Sequence, residues 1–115
     1  MKDKTRARER FLRDPLPARL GGISASLARI SSSARSEGGG ASVAEMIQEV
    51  KYYIEWTAAE AELEVAAELV DIQVGLALWQ SALQRAGGFP AQRSLLAWQA
   101  KKWSDAILAA SGLLG

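Results

Sequence analysis

Five glutamates, Glu55, Glu60, Glu62, Glu64 and Glu68, fall within one helical-looking stretch, and a carboxylate cluster of that density is the first place to look for metal or acid–base chemistry. Helical di-iron sites draw on Glu-x-x-His ligands, and this chain of 115 residues contains neither histidine nor cysteine. The same absences remove an imidazole base, a thiolate nucleophile, disulfides and the usual zinc centre. Glu60, Glu64 and Glu68 share a face at i, i+4 and i+8, a spacing at which like charges repel. They therefore read as an ion-pair face in want of a base, with Arg19, Arg29 and Arg35 as candidates. A glycosidase-type carboxylate pair would need a cleft that a thin bundle does not offer. No phosphate-cradling loop is present, since Gly38-Gly39-Gly40 lacks a following Lys-Ser/Thr and Gly21-Gly22 follows no strand. The chain is expected to be non-catalytic, with no metal, no cofactor and no small-molecule substrate.

A second group able to do chemistry is basic. Lys2, Lys4, Arg6, Arg8, Arg10 and Arg13 crowd the N-terminus and could neutralise phosphates in a salt-dependent, sequence-independent way. Asp3 and Glu9 dilute them, no DNA-binding motif follows, and Phe11-Leu12 offers a way to dock the arm on the protein itself or on a membrane surface. Charge is sorted along the whole chain: residues 1–35 carry a net of +6, residues 42–84 a net of −7 and residues 85–115 a net of +3, against a total of only +1. Segment charge speaks to partners and solubility. Here it suggests basic flanks complementing an acidic centre within the fold, with an external anion as the alternative.

Aromatic residues form the third group. Tyr52, Tyr53 and Trp56 lie within five positions and point in more than one direction around a helix, so at least one must face away from the core. Together with Leu63 and Trp79 they are the candidate partner-binding residues. Trp98 and Trp103, at helical spacing, read as core.

The elements that position these groups follow from punctuation and periodicity. Length and composition (49% hydrophobic, 23% charged) suit one globular domain, here a basic arm over 1–16 and a helical domain over 17–115. No apolar run resembles a signal peptide or reaches the ~20 residues of a membrane span, which makes a cytoplasmic location the expectation. Asp14-Pro15-Leu16-Pro17 stops one segment and starts a helix. Its apolar face is Leu16, Leu20, Ile23, Leu27, Ile30 and Ala34, and Ser31-Ser32-Ser33 and then Glu37-Gly38-Gly39-Gly40 end it. Gly21-Gly22 implies an irregular first turn or a close neighbour.

Ser42 then caps a stripe running through Val43, Ile47, Val50, Ile54, Ala58, Ala61, Val65, Leu69, Ile72, Leu76, Trp79 and Leu83. The mean step of about 3.6 residues matches a straight helix, so residues 42–85 read as one long central helix, about 65 Å from end to end. A second row (Met46, Tyr53, Leu63, Ala67, Val70, Val74, Leu78) widens the stripe. A break near Trp56-Thr57 or Gly75 is the competing possibility. After Gly87-Gly88-Phe89, a last helix spans Pro90 to Ser111 and closes on Ser111-Gly112-Leu113, with Leu113 or Leu114 folding back.

This makes an all-α protein, a long central helix with two shorter antiparallel ones. Two short helices cannot hide so long a seam, so a homodimer is expected to complete the bundle. The stretches Arg13-Asp14-Pro15-Leu16-Pro17-Ala18-Arg19-Leu20-Gly21-Gly22, Tyr53-Ile54-Glu55-Trp56-Thr57-Ala58-Ala59-Glu60 and Ser111-Gly112-Leu113-Leu114 resemble those of a small uncharacterised all-helical protein family of cyanobacteria. That resemblance covers most of the chain and implies a cytoplasmic protein with no assigned catalytic residues. The expected role is an adaptor or small subunit acting through the acidic, aromatic helix and the basic arm. The alternative is a nucleic-acid-associated protein binding phosphates through residues 2–13.

Overall fold

The computed structural model describes residues 4–36, 40–86 and 90–114. Lys2 of the basic arm and residues 37–39 and 87–89 of the two glycine-rich connectors lie outside them. The described residues form five α-helices and no strand: α1 (Lys4–Leu12), α2 (Leu16–Arg35), α3 (Gly40–Thr57), α4 (Leu63–Ala86) and α5 (Pro90–Ser111). The all-α reading holds.

Proline fixes the entry to α2. Pro15 sits just before the helix in extended conformation and Pro17 falls in its first turn, where a missing amide costs nothing. The row Leu20, Ile23, Leu27, Ile30 and Ala34 is buried, as its spacing predicts. The serines at 31–33 do not end the helix. Ser31 is buried and donates its hydroxyl to the Ala97 carbonyl of α5 at 2.7 Å. One turn pair earlier, the Ser24 hydroxyl donates to the Ser104 carbonyl and the Ser104 hydroxyl to the Ser24 carbonyl, both at 2.8 Å. Small residues on both sides (Ser24, Ser31, Ala97, Ala100, Ser104) let the two backbones approach until hydroxyls reach across. Serine is a mediocre helix former, but each of these buried hydroxyls is satisfied, which keeps its burial cheap.

The single helix over 42–85 is not formed. Helix α3 ends at Thr57, a 3-10 turn covers Ala58–Glu60, Ala61 is extended, and α4 begins at Leu63. No Gly or Pro marks this break; Ala58-Ala59-Glu60-Ala61 are all good helix formers. What breaks the rod is tertiary. Folding back lets α3 bury Val43, Ile47, Val50 and Ile54 against the rest of the chain while α4 buries Leu69, Ile72 and Leu76, worth roughly 1.5–3 kcal/mol per large side chain. The break also takes Glu60 off the helix carrying Glu64 and Glu68, relieving their repulsion. Ser42 is likewise not a cap, because α3 starts at Gly40.

Each helix from α2 to α5 packs against the next in sequence. Gln80 of α4 bridges to α3, accepting from Lys51 and donating to Gln48, both at 2.9 Å. Trp79 of α4 donates its indole N–H to Gln99 of α5 at 2.6 Å. With α5 returning to α2, the four helices enclose the core within one chain. The long seam therefore needs no second copy to cover it, and that ground for a homodimer is withdrawn.

Two glycines mark close approaches. A Cβ on Gly75 would lie 2.5 Å from Trp103 Cζ2 and 2.7 Å from Cη2, so α4 is notched to receive the indole of α5. A Cβ on Gly21 would meet the Leu113 side chain, Cδ1 at 2.6 Å and Cγ at 4.0 Å, where the chain folds back after Gly112 (φ +84°). Trp103 is a rigid ring in a packed wall; Leu113 is the free end of a half-exposed side chain. Gly75→Ala should therefore cost about 1–3 kcal/mol through overpacking, whereas Gly21→Ala should be neutral or gain up to about 1 kcal/mol of helix propensity. Paired urea melts check this; equal effects at the two sites would contradict the notch.

Candidate functional site

The basic arm, with Phe11-Leu12 as its means of docking on the protein itself, forms a nine-residue helix, α1, lying against α3. So short a helix is marginal in water by itself, and Phe11 supplies what holds it. The Phe11 ring stacks flat on Tyr53 with centroids 4.4 Å apart and meets Trp56 at 5.9 Å, while Tyr52 stacks on Trp56 at 5.6 Å. The Lys4 ammonium sits 4.6 Å above the Tyr52 ring, a cation–π contact. Between α1 and α3 lies an open groove of about 690 Å³ lined by Lys4, Arg10, Phe11, Glu49, Tyr53 and Trp56, among others. Burial raises the Tyr53 phenol above its ordinary pKa, helped by the charge of Glu49 and a hydrogen bond to it; Arg29 and Arg10 pull the other way.

Arg19 ties this end of the molecule together. Its guanidinium is almost fully buried, donates through Nε to the Asp14 carbonyl at 3.0 Å, and grips Glu60 with both terminal nitrogens at 3.0 and 2.9 Å. One residue thus joins the turn after α1, the start of α2 and the break between α3 and α4. Those hydrogen bonds, and then the charge of Arg19, hold the Glu60 carboxyl below the ordinary glutamate value, with a further pull from Arg8. Basic flank and acidic centre meet inside the fold. Among the described residues, no three carboxylates converge as a metal site would need.

The candidate partner-binding residues separate into three places. Tyr52, Tyr53 and Trp56 are brought together, but Phe11 of the same chain occupies them, and all three are partly buried. Trp79 is partly buried: it packs against the core and donates to Gln99. Leu63 stands out in solvent at 86% exposure. Trp98, read as core, is 56% exposed, with Lys102 over its ring. Of the basic arm, Lys4 lies on Tyr52, Arg10 lines the groove, and Arg6, Arg8 and Arg13 are on the exposed surface.

A second surface emerges on α4. Leu63, Ala67, Val70, Val74 and Leu78 are all exposed, the large ones at 86, 51, 55 and 67% in chain order. At 100° per residue they lie on the side of α4 opposite its buried Leu69, Ile72 and Leu76. The row counted as widening the core stripe is thus a separate outward face. A helical wheel over 63–86 separates the two faces, and it does so equally on a continuous rod. Glu64, Glu68 and Asp71 border one flank, and Gln73, Gln80 and Gln84 the other. Comparison of the chain with protein-family models, curated proteins and solved structures finds no match.

Because the Glu60 carboxyl titrates lower folded than unfolded, its contribution is complete above the ordinary value of 4.5 and fades as pH falls through the folded value. Melting temperature should therefore drop across that acid window, and Glu60→Gln should flatten that part of the profile while lowering the melt near neutrality; an unchanged profile would contradict the assignment. Phe11→Ala should release α1: limited proteolysis near 13–15 becomes fast, and the Tyr53 phenol, regaining water, titrates lower by ultraviolet absorbance. The fold of α2–α5, read by circular dichroism, should persist.

Proposed function

We propose that this chain is a non-catalytic protein-interaction module, an adaptor or small subunit, whose docking surface is the outer face of α4. The observation carrying the proposal is the stripe Leu63, Ala67, Val70, Val74 and Leu78, exposed over about 22 Å of helix on the side away from the core. A contiguous apolar patch on a small domain usually marks an interaction site, and an apolar helix face at this spacing suits another helix laid along it. Self-association belongs to the same proposal, moved from the aromatic cluster to α4.

The aromatic cluster serves instead as the seat of α1. Phosphate binding by the basic arm draws less support, since Lys4 is engaged with Tyr52 and Arg10 lines the groove between α1 and α3. Among the described residues no helix is long and apolar enough to cross a membrane, which agrees with a partner in water.

A photo-crosslinking amino acid at Val70, introduced into the full chain in its own cells, tests the reading. Irradiation should give a covalent adduct with a protein chain, absent when the same probe replaces exposed Arg35 at the far end of α2. Failure to find any adduct at Val70 would overturn it.

A further inference from the structure

We infer that the occupant of the α4 face is a second copy of the same helix, laid antiparallel with Val74 on the two-fold axis. This rests on the docking role proposed for that face and names its partner.

Spacing comes first. The outward row does not stop at Leu78; Ser81 and Arg85 continue it and are also exposed. Positions 63, 67, 70, 74, 78, 81 and 85 are separated by 4, 3, 4, 4, 3 and 4 residues, a series that reads the same from either end about 74. Two-fold pairing then sets Val74 against Val74, Val70 against Leu78, Ala67 against Ser81 and Leu63 against Arg85. An isologous contact requires that kind of self-complementarity. Large apolar groups meet near the axis, small ones meet further out, and the helices can approach closely there.

Charge favours the same direction. Glu62, Glu64, Glu68 and Asp71 all lie in the N-terminal half of the segment, while the half from 74 to 86 has no acid and carries Arg85. A parallel pair would gather both acidic halves at one end. The antiparallel pair spreads them apart and puts each Arg85 level with Glu62 and Glu64 of the other copy, its aliphatic stem covering Leu63. Helix dipoles oppose as well. The flank beside the acids offers Ala82 and Leu78 from the second copy, so no carboxylate faces another directly.

A chain without cysteine makes the register readable. Single substitutions Val74→Cys, Val70→Cys and Leu78→Cys change exposed positions, so circular dichroism should match the parent. On mild oxidation, Val74→Cys should link to itself, and a mixture of Val70→Cys with Leu78→Cys should give about tenfold more linked dimer than either alone. Self-linking at all three positions would overturn the antiparallel register. Sedimentation of the purified full-length protein should show a dimer at about 100 μM, which is saturating for a dissociation constant near 1 μM, and Val74→Asp should weaken it roughly a hundredfold by setting like charges together on the axis. A monomer at that concentration would overturn self-pairing; an adduct at Val70 to a different protein would then still support the docking role.

Discussion

Everything at one end of the molecule turns on a buried guanidinium that must be answered. Arg19 enters α2 in its first turns, where its side chain is nearly excluded from water. A buried cation without partners is among the more expensive things a small domain can contain. Asp14 and Glu60 answer it, and each answer shapes the chain. The bond to the Asp14 carbonyl fixes the approach of α1 to α2. The fork to Glu60 holds the turn between α3 and α4 against the start of α2. The acidic centre and basic flank that look like opposite faces for an outside partner are, at this point, two halves of one internal clamp.

The same need explains where the fold was legible and where it was not. Helices α2 and α5 were readable because their ends carry local chemistry: prolines at the starts, and Gly112 with positive φ just beyond the end of α5. The break at 58–62 carries none. Its residues favour helix, its apolar rhythm runs through unchanged, and only the repulsive spacing of Glu60, Glu64 and Glu68 hinted that a continuous rod would be uncomfortable. One group that holds the turn lies 41 residues away in sequence, at Arg19, beside the burial that draws α3 and α4 onto the core. Helix α1 was hidden for a related reason. Seven of its nine residues are good helix formers, but a helix so short is marginal alone, and its order comes from one phenylalanine placed flat on a tyrosine of α3.

For the surfaces, residue type was a better guide than residue position. Tyr52, Tyr53 and Trp56 do form a cluster, but its occupant is the chain itself, which sequence periodicity cannot reveal because it depends on how α1 folds back. Trp79 lies on the apolar stripe that packs on the core, and there its indole is bonded to Gln99. The exposed row of α4 was present in the sequence all along, miscounted as the edge of a wide seam. The angular arithmetic of 63–86 places Leu63, Val70 and Val74 opposite Leu69, Ile72 and Leu76 whether or not the rod is broken.

Helix α4 is therefore greasy on two opposite sides, and burial alone would accept either. A half-turn about its own axis would swap one set of leucines and valines for the other at little hydrophobic cost. The choice is made by groups that fit in one orientation only: Gln80 strung between Lys51 and Gln48, Trp79 bonded to Gln99, and the bare backbone of Gly75 under the indole of Trp103. These act like the wards of a lock on an otherwise featureless cylinder. Three amides, an indole and a missing methyl group decide which side of the helix the outside world meets.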